Sequence, residues 1–145
     1  IVPHTEGALG YTLYLPEEEK FLSTKEEMLT KLCSLLGGRA AEEVAFNTMT
    51  SGASNDIMVA HQFAKIVVTQ YGMDDGEFKN LYLLDDDLLN EKLTEAINEK
   101  VKSLIDRVYQ KTEIFITEHW QEIDAMAKYL LKKYYLMNMN LLVMI

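Results

Sequence analysis

Carboxylates and histidines are the side chains in this sequence that could bind a metal or move a proton, and one of them stands at a helix start. Asp56 closes the run Thr50-Ser-Gly-Ala-Ser-Asn-Asp56, just ahead of a strongly amphipathic helical pattern. A carboxylate there suits a metal ligand. It equally suits any helix, because unpaired backbone N–H groups and the helix dipole favour an acidic first turn. Glu42 and Glu43 could form an acid/base pair, but adjacent helical residues point in different directions, so at least one belongs to a helix surface. The three histidines, His4, His61 and His119, are far apart, and none has a second histidine four residues away, so a self-contained two-histidine zinc helix is absent. His61 follows Ile57 by four residues and reads as a packing or boundary residue; His119 reads as a cap at the junction of the last helices. Cys33 sits in an apolar helical pattern without a recognisable catalytic partner, as a buried inert thiol would. There is no Gly-x-Ser-x-Gly elbow and no phosphate loop, since Gly7 to Gly10 lacks both the Lys-Ser/Thr ending and a following helix.

The elements that must position these groups are mostly helical. Ala8 to Leu15 alternates, with Leu9, Tyr11, Leu13 and Leu15 on one side, and predicts a half-buried strand that Pro16 stops. Ser23 and Thr24, followed by Glu26 and Glu27, form a capping-box signature that starts a helix. Its apolar positions run from Met28 through Leu36 and resume at Ala40 beyond Gly37-Gly38, which predicts one continuous helix from about Thr24 to Ala45. Phe46 to Ala53 reads as a polar loop, with Ser54 as N-cap of the next helix. That helix carries Ile57, Ala60, Phe63, Ala64, Val67, Val68 and Tyr71 on one stripe and closes at Gly72. Asp74-Asp75-Gly76 is a turn and Asp85-Asp86-Asp87 a solvated acidic turn. From about Asp87 to His119 a long helix is predicted, with Leu89, Leu93, Ile97, Val101, Leu104, Val108 and Phe115 as its stripe. A second, from about Trp120 to Tyr134, would complete a helical hairpin. The expected fold is mainly α: one helical domain with a small β element near the N-terminus and a C-terminal helical hairpin.

Composition bounds the function. At 145 residues, 48% hydrophobic and 26% charged, the chain can bury a real core. Its 14 basic residues are scattered among 23 acidic ones, for a net charge of −9, which argues against nucleic acid as a partner. One cysteine excludes an internal disulfide framework. The opening Ile-Val-Pro suggests a piece cut from a longer protein. The apolar stretch from Leu136 to Ile145 is too short to span a bilayer and would favour association, as on a neighbouring subunit.

Taken together, Ala8-Leu-Gly-Tyr-Thr, Leu36-Gly-Gly-Arg-Ala-Ala-Glu-Glu43, Thr50-Ser-Gly-Ala-Ser-Asn-Asp56 and Val68-Thr-Gln-Tyr-Gly-Met73 resemble the peptidase domain of the FtsH family. A weaker similarity continues through Glu118-His-Trp-Gln-Glu-Ile-Asp and Leu130-Leu-Lys-Lys. These are membrane-anchored, ATP-dependent zinc proteases of bacteria, mitochondria and plastids, active in protein quality control. The resemblance implies a helical peptidase-type fold in which residues 1–145 form the C-terminal part of a zinc metallopeptidase domain.

In that family two histidines of an H-E-x-x-H helix bind zinc and the intervening glutamate activates water. The third ligand is an aspartate that maps onto Asp56, with Glu42 as the fallback. Three protein ligands leave a fourth position for water, whose pKa the metal lowers. This chain contains no H-E-x-x-H, so the general base and two of the ligands are expected upstream of Ile1. The piece alone is therefore expected to be inactive and to hold zinc weakly or not at all. The resemblance gives Leu9, Gly10, Tyr11, Thr12 and Leu13 a role in pairing with an extended substrate, and Gly37, Gly38, Arg39 and Asn55 a supporting role. It further implies a homo- or hetero-hexamer acting on unfolded or membrane proteins, with ATP and magnesium handled by a separate ATPase domain. Membrane attachment would come only through N-terminal segments outside this chain, with the mitochondrial inner membrane favoured over a plastid or bacterial one. The alternative is a non-catalytic helical oligomerisation module.

Overall fold

A computed structural model describes residues 22–80, 82 and 91–142; of 134–142 it describes the backbone alone. The elements are α1 (Lys25–Phe46), a 3-10 turn (Ser51–Ala53), α2 (Ser54–Thr69), α3 (Glu91–Glu118) and α4 (Trp120–Leu142). The fold is mainly helical, as the apolar periodicities predict. The expected strand at Ala8 to Leu15 lies outside the described residues, and among those described there is no strand. No described helix is long and apolar enough to cross a membrane.

The chain divides into two compact units, residues 22–118 and residues 1–21 with 119–145. In the first, α1, α2 and α3 pack on one another around a single core. Helix α1 begins with the predicted capping box: Thr24 Oγ1 accepts from the Glu27 amide (3.2 Å), and the Glu27 carboxylate accepts from the Thr24 amide (2.9 Å). It runs unbroken through Gly37-Gly38 and ends where Asn47 adopts a left-handed conformation, φ 49°. Met28, Leu32, Leu36 and Ala40, each four residues on, form its buried face. Helix α2 meets that face with Ala60, Ala64, Val67 and Val68. Alanines at 60 and 64, both fully buried, allow the helices to approach closely.

Three local expectations need correction. Ser54 is the first helical residue of α2 rather than its N-cap; the cap is Ala53, which offers no side-chain hydrogen bond. Tyr71 is exposed, because α2 ends at Thr69 and Gly72, at φ 56°, turns the chain so that the Met73 amide reaches back to the Val67 carbonyl (3.1 Å). The apolar stripe of α3 passes from Val108 through Thr112 to Ile116, leaving Phe115 exposed. Thr112 can be buried because its hydroxyl donates to the Val108 carbonyl (2.9 Å), which removes the cost of an unsatisfied polar group.

Helix α4 belongs to the other unit. It starts immediately after His119, whose carbonyl accepts from the Ile123 amide (3.1 Å), and carries a Lys128–Asp124 ion pair (2.6 Å).

Candidate functional site

The candidate site is the entry into α2. After α1 ends, residues 47–52 run exposed across the surface, and the chain re-enters the core only at Ala53, 7% exposed. Two side chains of α1 hold this segment. Arg39 contacts the thioether of Met49 through a guanidinium N–H, and Glu42 grips Thr50 with both carboxylate oxygens. One oxygen accepts from the Thr50 amide (3.2 Å) and the other from its hydroxyl (2.9 Å). The Thr50 hydroxyl in turn accepts from the Gly52 amide (3.2 Å), capping the 3-10 turn. That turn leads directly into α2, whose first turn carries Asp56.

Asp56 is exposed, and no hydrogen bond or ion pair engages its carboxylate among the described residues. The donor chemistry of the two candidates therefore differs. Asp56 presents an uncommitted hard oxygen at the positive end of a helix, whereas the oxygens of Glu42 already accept two hydrogen bonds. Asp56 fits a zinc ligand; it fits as one corner only, because no three His, Cys, Asp or Glu side chains among the described residues converge on a metal position.

The remaining candidates are placed as follows. Glu43, next to Glu42, turns the other way and accepts from the Tyr109 hydroxyl on α3 (2.5 Å). Burial first, and then this hydrogen bond to a carboxylate, push the Tyr109 hydroxyl up to about 12. Glu42 and Glu43 are thus not a catalytic pair: one serves the loop, the other ties α1 to α3. Added Cβ atoms at Gly37 and Gly38 would meet nothing within 4 Å, so the described chain leaves that side of α1 open. Asn55 and His61 are exposed, and Cys33 is half-buried against the core rather than sealed within it. Leu9, Gly10, Tyr11, Thr12, Leu13 and His4 lie outside the described residues.

Sequence reasoning missed Thr50, which both donates to Glu42 and accepts from Gly52. The signal was present: a hydroxyl two residues ahead of a glycine is a recurrent side-chain-capped turn.

The profile of peptidase family M41 matches residues 1–142, nearly the whole chain. The chain belongs to peptidase family M41. Among curated relatives, the ATP-dependent zinc metalloprotease FtsH of Clostridium perfringens is 44% identical in an alignment 142 positions long that covers 92% of this chain and 20% of that protein. The protein of the same name from Thermotoga maritima is 38% identical in an alignment 145 positions long that covers 92% of this chain and 24% of the relative. An FtsH 2 from Phytoplasma mali is 41% identical over 135 residues, 91% and 19%. The M41 chain thus spans about a fifth to a quarter of the length of these relatives. The FtsH resemblance read from the short motifs therefore extends through almost every residue.

Proposed function

We propose that this M41 chain is part of an ATP-dependent zinc metalloendopeptidase and that it contributes the Asp56 carboxylate to the zinc centre. The observation that carries this reading is the uncommitted carboxylate in the first turn of α2, at the end of the Thr50-Ser-Gly-Ala-Ser-Asn-Asp56 loop. Support comes from relatives named zinc metalloproteases that match over about nine-tenths of the chain. Zinc, when bound, acidifies a water molecule and polarises a peptide carbonyl. The part assigned to this chain is to present one oxygen ligand from a helix start.

The other ligands and the base are assigned to an H-E-x-x-H segment of the parent protein, so the chain alone is inactive. Leu9 to Leu13 are assigned to pairing with unfolded or membrane-protein substrates through the main chain, a mode that reads backbone rather than side chains. The parent works as a hexamer on a membrane, with the mitochondrial inner membrane the favoured location, and its ATP and magnesium belong to a separate domain. An oligomerisation role remains the second reading. The groove of 530 Å³ between α1 and α3, lined by Cys33, Gly37, Phe115 and Ile116, favours it.

The test is Asp56→Ala in the full-length parent, with zinc content and cleavage of an unfolded polypeptide measured on the same preparation. Both should be lost, with helical content unchanged because Asp56 is exposed. Full zinc content with undiminished cleavage would move the ligand to another residue.

A further inference from the structure

Helix α2 starts without a side chain of its own to cap it. Its N-cap is Ala53, so none of the first amides receives the oxygen that Ser, Thr, Asp or Asn would supply. The capping function is displaced one turn upstream to Thr50, the N-cap of the 3-10 turn that runs straight into the helix. Thr50 is in turn oriented by a residue on a different element. Glu42, half-buried on α1, accepts from both its amide and its hydroxyl, which fixes the hydroxyl lone pair toward Gly52. The packing there is close: a Cβ at Gly52 would fall 3.2 Å from Thr50 Oγ1 and 3.8 Å from Glu42 Oε1. Apart from Ala53, every residue from Phe46 to Asp56 is exposed, so little apolar burial is available to locate the start of α2.

We infer that Glu42 is a positioning residue that, through Thr50 and the 3-10 turn, sets where the Asp56 carboxylate is presented. This rests on the reading of Asp56 as a zinc ligand and replaces the fallback assignment of Glu42 as a ligand. A carboxylate that accepts two hydrogen bonds from one residue is engaged as a brace. Outer contacts of this kind orient metal ligands, and their loss typically weakens metal affinity by about 10–100-fold.

The experiment uses the full-length parent and four variants: Glu42→Gln, Thr50→Val, Thr50→Ser and Asp56→Ala. Zinc affinity is measured by competition with a chromophoric chelator. Turnover of an unfolded polypeptide is resolved into kcat and KM, and helical content is checked by circular dichroism. Thr50→Val keeps the shape and removes the hydroxyl, and Glu42→Gln keeps one acceptor oxygen and removes the charge. Both should bind zinc about 10–100-fold more weakly, with kcat lowered, KM nearly constant and helical content intact. Thr50→Ser restores the hydroxyl and should restore zinc affinity. Wild-type zinc affinity in Thr50→Val would overturn the inference, and so would failure of Thr50→Ser to recover it. Complete zinc loss in Glu42→Gln beside normal affinity in Thr50→Val would make Glu42 a ligand, again overturning it. Retention of zinc by Asp56→Ala would instead sink the underlying site assignment, an outcome visible in that variant alone.

Discussion

Residues 47–53, which lead into α2, and residues 70–80, which lead out of it, are both polar and both contain glycine, yet they are held by different means. The incoming loop hangs on hydrogen bonds to Glu42 and a contact from Arg39, and only Ala53 enters the core. The outgoing turn is anchored by Phe78, 4% exposed and part of the central cluster. Around that anchor Asp74 accepts from the Gly76 and Phe78 amides (3.1 and 3.3 Å) and faces Lys100 of α3 (3.4 Å). Asp75 pairs with Lys25 of α1 and lies 3.6 Å from Arg107 of α3. The turn therefore ties two other helices together, while the loop serves only the residues it carries. A loop held by a few polar contacts can be adjusted without unfolding the helices, and a core-anchored turn cannot.

The largest effect should come from the anchor. Phe78→Ala removes a buried ring and leaves a cavity, and is expected to cost about 3–5 kcal/mol in urea unfolding of the chain. A loss below about 1 kcal/mol would erase the distinction between the two connections. Asp74→Ala should cost about 1–3 kcal/mol, since two backbone amides lose their acceptor.

Asp74 also carries a pH signature. Burial pushes its carboxyl up, but the Phe78 and Gly76 amides and then Lys100 outweigh it, and the carboxyl lies below the usual carboxylate range. Because the folded value is the lower one, the contribution is complete above about pH 4. It disappears as the pH falls through the folded value. The acid limb of the stability profile should accordingly be flatter in Asp74→Ala than in the wild type. An unchanged limb would remove Asp74 from the account. Asp75 is shifted in the same direction, chiefly by its hydrogen bond to Lys25, but it is fully exposed and screened by salt.

The smallest stability effect should come from the incoming loop. Gly52→Ala crowds the Thr50 hydroxyl but touches no core residue, so stability should stay within about 0.5 kcal/mol. Zinc affinity of the parent should fall all the same. A stability loss as large as that of Asp74→Ala would show that the loop, too, is part of the fold.

The capping box at Thr24, the unbroken α1, the stripe of α2 and the glycine stop at Gly72 were legible because each depends on neighbours within a few residues. The run from Thr50 to Asp56 was recognisable because its motif is contiguous. Less readable were places where a local rule had two solutions. Ser54 is a good N-cap by type, but a 3-10 turn capped by Thr50 takes the position one residue earlier. Phe115 outranks Thr112 in hydropathy, but the helical period selects Thr112 and Ile116 once Val108 is fixed against the core.

By itself the sequence determined that this chain is helical, that it carries the M41 motifs in order, and that Asp56 opens a helix. Only the tertiary structure decided that Glu42 turns to Thr50 and Glu43 to Tyr109, partners eight and sixty-six positions away. The physical reason is that adjacent carboxylates on one helix are chemically identical in a string of residues. They acquire separate roles only when the packing of α1 against the loop and against α3 brings a different donor to each.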